Sequence, residues 1–412
     1  MKYSNDETVR LKRSVGLIGL VLYGLGVTIG AGIYVLVGET IVRAGPYAPA
    51  AFLLSAIVMG FTAASFAELS GRVPQAAGEA IYVEKSFGLP WLTIVVGLAV
   101  LVEAMIAAAA IAVGSAGYIG ELVNLPKEVL VICIVVVAAT IAAWGIRESV
   151  AIAGAMTLVE VAGLIVIIYF GLINEPNSLS ALPAALMPPP TDWPALSGVL
   201  AASMITFFAF IGFDDVVNLV EESKNPKKTM PWAIGITLTI VTVLYVLVSF
   251  VTAQNVSVKD LIGTSAPISL LFERLTGLPP LIITLIAIIA TMNGVVIILI
   301  MAARVAYGMA REGRLPAWTG VVSPRTKTPL RATLVVAAVV LGLAIFTPLD
   351  TLAETSSEVL LLVFVMINLA LVWFKMKGVP APEGTFTVHI VFPIAGAVFC
   401  VALLLGASLV GG

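Results

Sequence analysis

Eleven apolar runs, each about as long as a bilayer is thick, constrain this chain more than any other feature. A helix needs roughly 20 apolar residues to cross a membrane, with a range of about 17–25. The candidate runs are residues 15–42, 48–69, 91–119, 127–144, 150–173, 196–219, 232–253, 278–303, 332–346, 352–374 and 388–410. The ninth is the shortest. None alternates with period two, which excludes a barrel. Only 11% of the 412 residues are charged and 60% are hydrophobic, against about 25% and 45–50% in soluble domains. Such a chain cannot cover a water-soluble globule with polar surface. A soluble enzyme, a nucleic-acid binder and a disordered protein are excluded, and the net charge of −2 offers no basic face to a polyanion. The expectation is an all-α polytopic membrane protein, its bilayer contacts made by these runs.

Lysine and arginine placement sets the direction. With the N-terminus inside, seventeen of the 22 Lys and Arg residues fall on the cytoplasmic side. Arg43, Lys127, Lys259 and Arg274 fall outside, and Arg304, near the inner end of run eight, counts toward neither side. Losing or adding one crossing would scramble this bias, so it supports eleven crossings with the C-terminus outside. The basic segment 1–13 leads into an apolar run far longer than a signal-peptide core of about 7–15 residues, and is read as preceding a retained first span. Residues 79–87 read as a short interfacial helix inside. Residues 174–194, rich in Pro and Ser without Lys or Arg, fit an external loop. Residues 266–276 read as an external amphipathic helix, with Leu270, Leu271 and Leu275 toward the bilayer and Glu273 and Arg274 toward water.

Two runs carry breaks. The first contains Gly24, Gly26, Gly30 and Gly32, and each interior glycine costs a helix about 1 kcal/mol relative to alanine. Either the glycines let another helix pack closely, or the helix unwinds at 29–32 and its freed N–H groups bind an anion. Run six places Gly212, Asp214 and Asp215 within the aromatic stretch 207–215, and ionisable groups at depth are costly and usually functional. Runs one and six are five apart. Five crossings invert topology, so residues 15–173 and 196–374 could be inverted repeats, each opening with a broken helix, and 388–410 an added helix. Such pairs point to a midplane site in a secondary transporter.

Four motifs, in order, resemble the amino-acid permeases of the amino acid–polyamine–organocation superfamily, with its LeuT-like fold. They are Thr28-Ile-Gly-Ala-Gly-Ile-Tyr34; Ala67-Glu-Leu69 with Pro74, Gly78, Glu79 and Tyr82; Phe208-Ala-Phe-Ile-Gly-Phe-Asp214 followed by 221–228 and Pro231; and 304–316 followed by Thr328-Pro-Leu-Arg331. Leu101-Val-Glu103 resembles the cationic-amino-acid-transporter branch. The resemblance implies a 5+5 inverted repeat in which runs 1, 2, 6 and 7 move against runs 3, 4, 8 and 9, with runs 5 and 10 as gates. It implies an L-amino acid held between runs one and six. Its carboxylate would meet Thr28, Ile29, Gly30, Ala31 and Gly32, chiefly the N–H groups of 30–32. Its ammonium would meet carbonyls of Phe208, Ala209 and Ile211. Phe208, Phe210 or Phe213 could gate the site or simply pack. Glu103, with Ala107 one turn on, could sense the substrate or be a structural acid. Asp214 orients the broken helix through N–H groups, with direct ligand contact the alternative, and Asp215 points elsewhere.

Glu160, midway along run five, stands where the resembled proton-coupled permeases often carry lysine. It could carry a proton, hold Na⁺ with Thr291 or Asn293, or be a neutral structural acid; the proton is favoured. Glu221 and Glu222 form either a solvated cluster or an inner gate, and Arg304 snorkels or pairs with one of the acids. Cys133 and Cys400 read as small buried hydrophobes. His389 reads as an interfacial residue, and a single histidine excludes an H-E-x-x-H metal pair. No cofactor and no metal is expected. The expected protein is a monomer or weak dimer in the cell membrane, moving amino acids with protons or, alternatively, Na⁺.

Overall fold

The computed structural model describes residues 15–75, 78–144, 149–175, 177–220, 222–262, 264–324, 326 and 328–410. The basic segment 1–13, Arg147, Glu221, Arg325 and Lys327 lie outside the described residues. Fifteen α-helices follow one another among them. They are α1 (Leu17–Ala44), α2 (Ala48–Arg72), α3 (Gly78–Phe87), α4 (Pro90–Gly120), α5 (Lys127–Trp144), α6 (Ser149–Asn174), α7 (Leu182–Leu186) and α8 (Trp193–Ala209). Then come α9 (Pro226–Asn255), α10 (Val258–Ile262), α11 (Pro267–Thr276), α12 (Leu281–Arg311), α13 (Leu330–Phe346), α14 (Leu349–Met376) and α15 (Val391–Val410). Ten of the eleven apolar runs each lie on one α-helix, projecting at most three residues beyond its end, and the sixth, 196–219, passes out of α8 at Ala209. Seven helical stretches are long and apolar enough to cross a membrane, and three shorter apolar helices accompany them. The chain is therefore a multi-pass helical membrane protein. The sole β pairing among the described residues is an isolated bridge between Val15 and Ser223.

The helices pack in two groups. α1 and α2 contact each other and both α8 and α9, and α4, α5, α12 and α13 contact one another. α6 leans on α1, α9 and α12, while α14 leans on α2, α4, α8 and α15.

The break expected at 29–32 does not occur: α1 is continuous from Leu17 to Ala44. Its glycines serve close approach instead. A methyl at Gly32 would lie 2.5 Å from the Ala209 carbonyl oxygen, and one at Gly30 would lie 2.8 Å from that of Ala290. At Gly26 it would lie 2.2 Å from Thr157 Oγ1. Bare backbone thus lets α1 touch α6, α8 and α12 at once.

Run six does break. α8 stops at Ala209, Gly212 takes φ +115, and a 3-10 turn resumes at Asp214–Leu219. Only glycine adopts that φ cheaply. Two smaller expectations also change. On α11, Leu271 and Leu275 are buried, and the helix packs on α1, α6 and α12, so those leucines face protein, not lipid. Arg274 meets Asp260 at 2.7 Å, and the Ser257 hydroxyl, with Arg274, holds the Asp260 carboxyl below its usual range. Cys133 is exposed, whereas Cys400 is buried. His389 is exposed just before α15, its Nδ1 accepting from the Val391 N–H at 3.4 Å.

Candidate functional site

A cavity of about 310 Å³ lies between the two helix groups. The α8 break supplies Ile211, Asp214 and Asp215 to its lining, and α4 supplies Glu103, Ala104 and Ala107. Its other wall is α12, and Glu312 and Arg314 line it toward the α3 end of the molecule. Glu79 of α3 also faces it. Burial pushes the Glu79 carboxyl up, and the neighbouring charge of Asp214 adds to this.

At the break, backbone groups have been redistributed. Asp214 Oδ1 accepts from the Gly212 N–H at 3.0 Å, so this carboxyl braces the backbone of the break itself. The Phe208 carbonyl accepts from the Ile211 N–H at 3.0 Å. The Ala209 carbonyl accepts from the Tyr245 hydroxyl at 3.0 Å, and that same hydroxyl meets the Thr28 carbonyl at 2.8 Å. Two of the three carbonyls expected to receive an ammonium are therefore already bonded. Among the described residues, the carbonyls of Phe210 and Ile211 accept nothing. Asp215, expected to point away, lines the same cavity as Asp214.

On the α1 side, the N–H groups of 30–32 sit in unbroken helix and point along its axis. The Thr28 hydroxyl, in contrast, is buried with no partner. Phe210 packs on Phe52 and Tyr245, and Phe213 on Phe66 and Phe364. These two rings fill an aromatic core behind the break. Phe208 is 5% exposed and Ile29 is wholly buried in α1.

Glu103 is buried, and its Oε1 accepts from the Ser356 hydroxyl of α14 at 2.8 Å. Sequence reasoning missed Ser356, since one serine in an apolar helix carries no signal of its own.

Glu160 lies apart from this cavity, where α6 meets α1 and α12. It is fully buried. Oε1 accepts from Asn293 Nδ2 at 3.4 Å, and Oε2 has no partner. Its backbone carbonyl accepts from the Tyr34 hydroxyl at 2.7 Å. The Thr291 hydroxyl is spent on its own helix, at 2.8 Å from the Ala287 carbonyl. No group of three or more His, Cys, Asp or Glu among the described residues could hold a metal ion.

Opposite the α3 end, Arg43 at the close of α1 is paired with Glu354 of α14 and lies 3.7 Å from Asp350.

Residues 15–410 match the profile of a family described as amino acid permease. The chain is 32% identical to the vacuolar cationic amino acid transporter 4 of Arabidopsis thaliana, over 93% of this chain and 67% of the relative. It is 29% identical to the branched-chain amino acid permease BcaP of Bacillus subtilis, over 96% of this chain and 88% of that one. The methylthioribose transporter of the same bacterium is also 29% identical, over 96% and 89%. A cavity reaching a helix break between two helix groups, in a chain with these relatives, is transport architecture and not an enzyme's active site. The chain belongs to the amino acid permease family, within the amino acid–polyamine–organocation superfamily.

Proposed function

We propose that this protein is a secondary active transporter of L-amino acids, working by alternating access as a proton-coupled symporter. The observation that carries the reading is the cavity, which runs from the α8 break to the α3 end while Arg43 and Glu354 join α1 to α14 at the other. This cavity is taken as the substrate path; a separate cavity of about 400 Å³, lined by Gly38, Gly117 and Pro267, lies toward the opposite end. In this reading the eleven long helices all span the cell membrane, N-terminus inside and C-terminus outside. Residues 15–173 and 196–374 form a LeuT-like inverted repeat, with its break in the second half.

The substrate sits at the break. Its ammonium meets the carbonyl of Ile211 and the carboxyl of Glu103, both of which line the cavity, and its carboxylate meets the Thr28 hydroxyl once α1 moves to expose that buried group. Asp214 holds the break in shape. Glu160 carries the coupled proton: it is a buried carboxyl with one oxygen held by Asn293 and the other unpartnered. A sodium ion would need several oxygen ligands, and Thr291 is already engaged, which favours the proton. Glu160→Gln should abolish pH-driven accumulation while leaving substrate binding within about threefold of wild type, read by uptake and by ligand-induced thermal shift. Equal loss of both would remove Glu160 from the coupling role.

A second reading has a specific observation behind it. Glu79, Glu103, Asp214, Asp215, Glu222 and Glu312 all line the cavity, a surplus of negative charge that suits a substrate with a second amine, or an amine without a carboxylate. Competition of labelled lysine, leucine and a polyamine for the purified protein separates these classes.

A further inference from the structure

Two guanidinium groups line the cavity, and they are in different situations. Arg314 is paired with Glu84 at 3.1 Å and with Glu312 at 2.9 Å. Arg304, two turns inside α12, makes no hydrogen bond or ion pair among the described residues, and its side chain is exposed to the cavity. An unpaired charge at that position in an apolar helix is costly unless water reaches it. Across the cavity stand Asp215 and Glu222, whose carboxylates are likewise without a partner among the described residues. Tyr23 of α1 lines the same cavity as Asp215, Glu222 and Arg304.

These groups belong to opposite walls. Arg304 rides on α12. Asp215 follows the α8 break, and Glu222 is tied to the start of α1, where the Val15 N–H meets the Glu222 carbonyl at 3.0 Å and the Lys224 N–H meets the Val15 carbonyl at 2.8 Å. When the walls approach, water leaves and three bare charges must either pair or be desolvated alone.

We propose that Arg304 is one half of an inner latch, which closes the α3 end of the cavity by pairing with Asp215 and Glu222. The latch rests on the alternating-access reading above, and it gives α12 an active part in the cycle: its guanidinium is free while the cavity is open and bonded when it is shut.

The test uses the full chain with Cys133→Ala and Cys400→Ala as parent, and Ala104→Cys on the cavity wall as reporter. The rate of labelling by a hydrophilic maleimide measures how long the cavity stays open, with no substrate present. Arg304→Gln should raise that rate about threefold or more and cut uptake about tenfold, because the closed state loses its pair. Arg304→Lys should stay near the parent. Arg304→Glu combined with Glu222→Arg should recover more uptake than either single change. Unchanged labelling in Arg304→Gln, or a charge exchange no better than the singles, would overturn the latch. So would loss of substrate binding with unchanged labelling, which would make Arg304 a contact for the substrate carboxylate. Labelling decides this even if the parent moves no amino acid, an outcome that would sink the functional reading alone.

Discussion

At the scale of single residues, the buried carboxyls were legible because they are expensive. Glu103, Glu160 and Asp214 stand out of apolar runs, and each lies buried at a helix junction. Their partners were not legible. Ser356, Asn293 and Tyr245 are ordinary residues in helices, and only three-dimensional packing sets them beside a carboxyl or a spare carbonyl. Glycine was legible in kind and misread in consequence, since the same residue weakens a helix and lets a neighbour approach. In α1 the second effect governs. Gly32→Ala should therefore cost about 1–3 kcal/mol, seen as a lower melting temperature in detergent, because the added methyl would sit 2.6 Å from Ala209 Cα. Glu79 gives a pH prediction with a definite sign. Its carboxyl binds a proton more tightly in the folded protein than in the unfolded chain. It therefore supports the fold fully at acid pH, and that support is lost as pH rises from the ordinary carboxylate range through the raised value. Glu79→Gln should flatten the fall of melting temperature over that window. A profile identical to wild type would mean that burial does not act on this group.

At the scale of elements, a second polar assembly holds α14 and α15 to α2. Glu68 is wholly buried, and it accepts from Arg72 Nε at 2.8 Å, from Lys375 Nζ at 2.8 Å and from the Val388 N–H at 2.8 Å. Further along the same seam, the Asn368 amide donates to Thr62 at 2.9 Å while its oxygen accepts from Ser65 at 2.6 Å. Gly396 of α15 packs on that amide; a methyl there would lie 2.6 Å from Asn368 Oδ1. α14 is thus bound to α2 from Asn368 to Lys375, and the resemblance that made run ten a separate gate has to accommodate this. Glu68→Ala leaves two buried cations facing each other, and should cost about 3–5 kcal/mol. Glu68→Gln, which keeps acceptor and donor atoms but not the charge, should cost less. If both variants melt with wild type, the seam contributes nothing to holding α15. Apolar length and charge placement located every one of these helices in the sequence. The seam itself was hidden, because an acid beside an arginine four residues on reads as a solvated helix pair.

At the scale of the whole molecule, two groups of helices meet along one cavity, and one of the groups carries a broken helix. The grouping of α1, α2, α8 and α9 against α4, α5, α12 and α13 matches the expected division of runs 1, 2, 6 and 7 from runs 3, 4, 8 and 9. Cavity shape and the charges on its walls were beyond the sequence, since they arise from how the groups lean on each other in one state. The central claim is that a proton gradient drives substrate through this path, with Glu160, a buried carboxyl set apart from the cavity and, unlike Glu68, beside no cation among the described residues, as the carrier. It is tested most directly by uptake of a labelled amino-acid mixture into proteoliposomes under a pH gradient, under a Na⁺ gradient, and under neither. Concentrative uptake under the pH gradient alone is the predicted result. Uptake that needs Na⁺, or that occurs only against substrate preloaded inside, would contradict it.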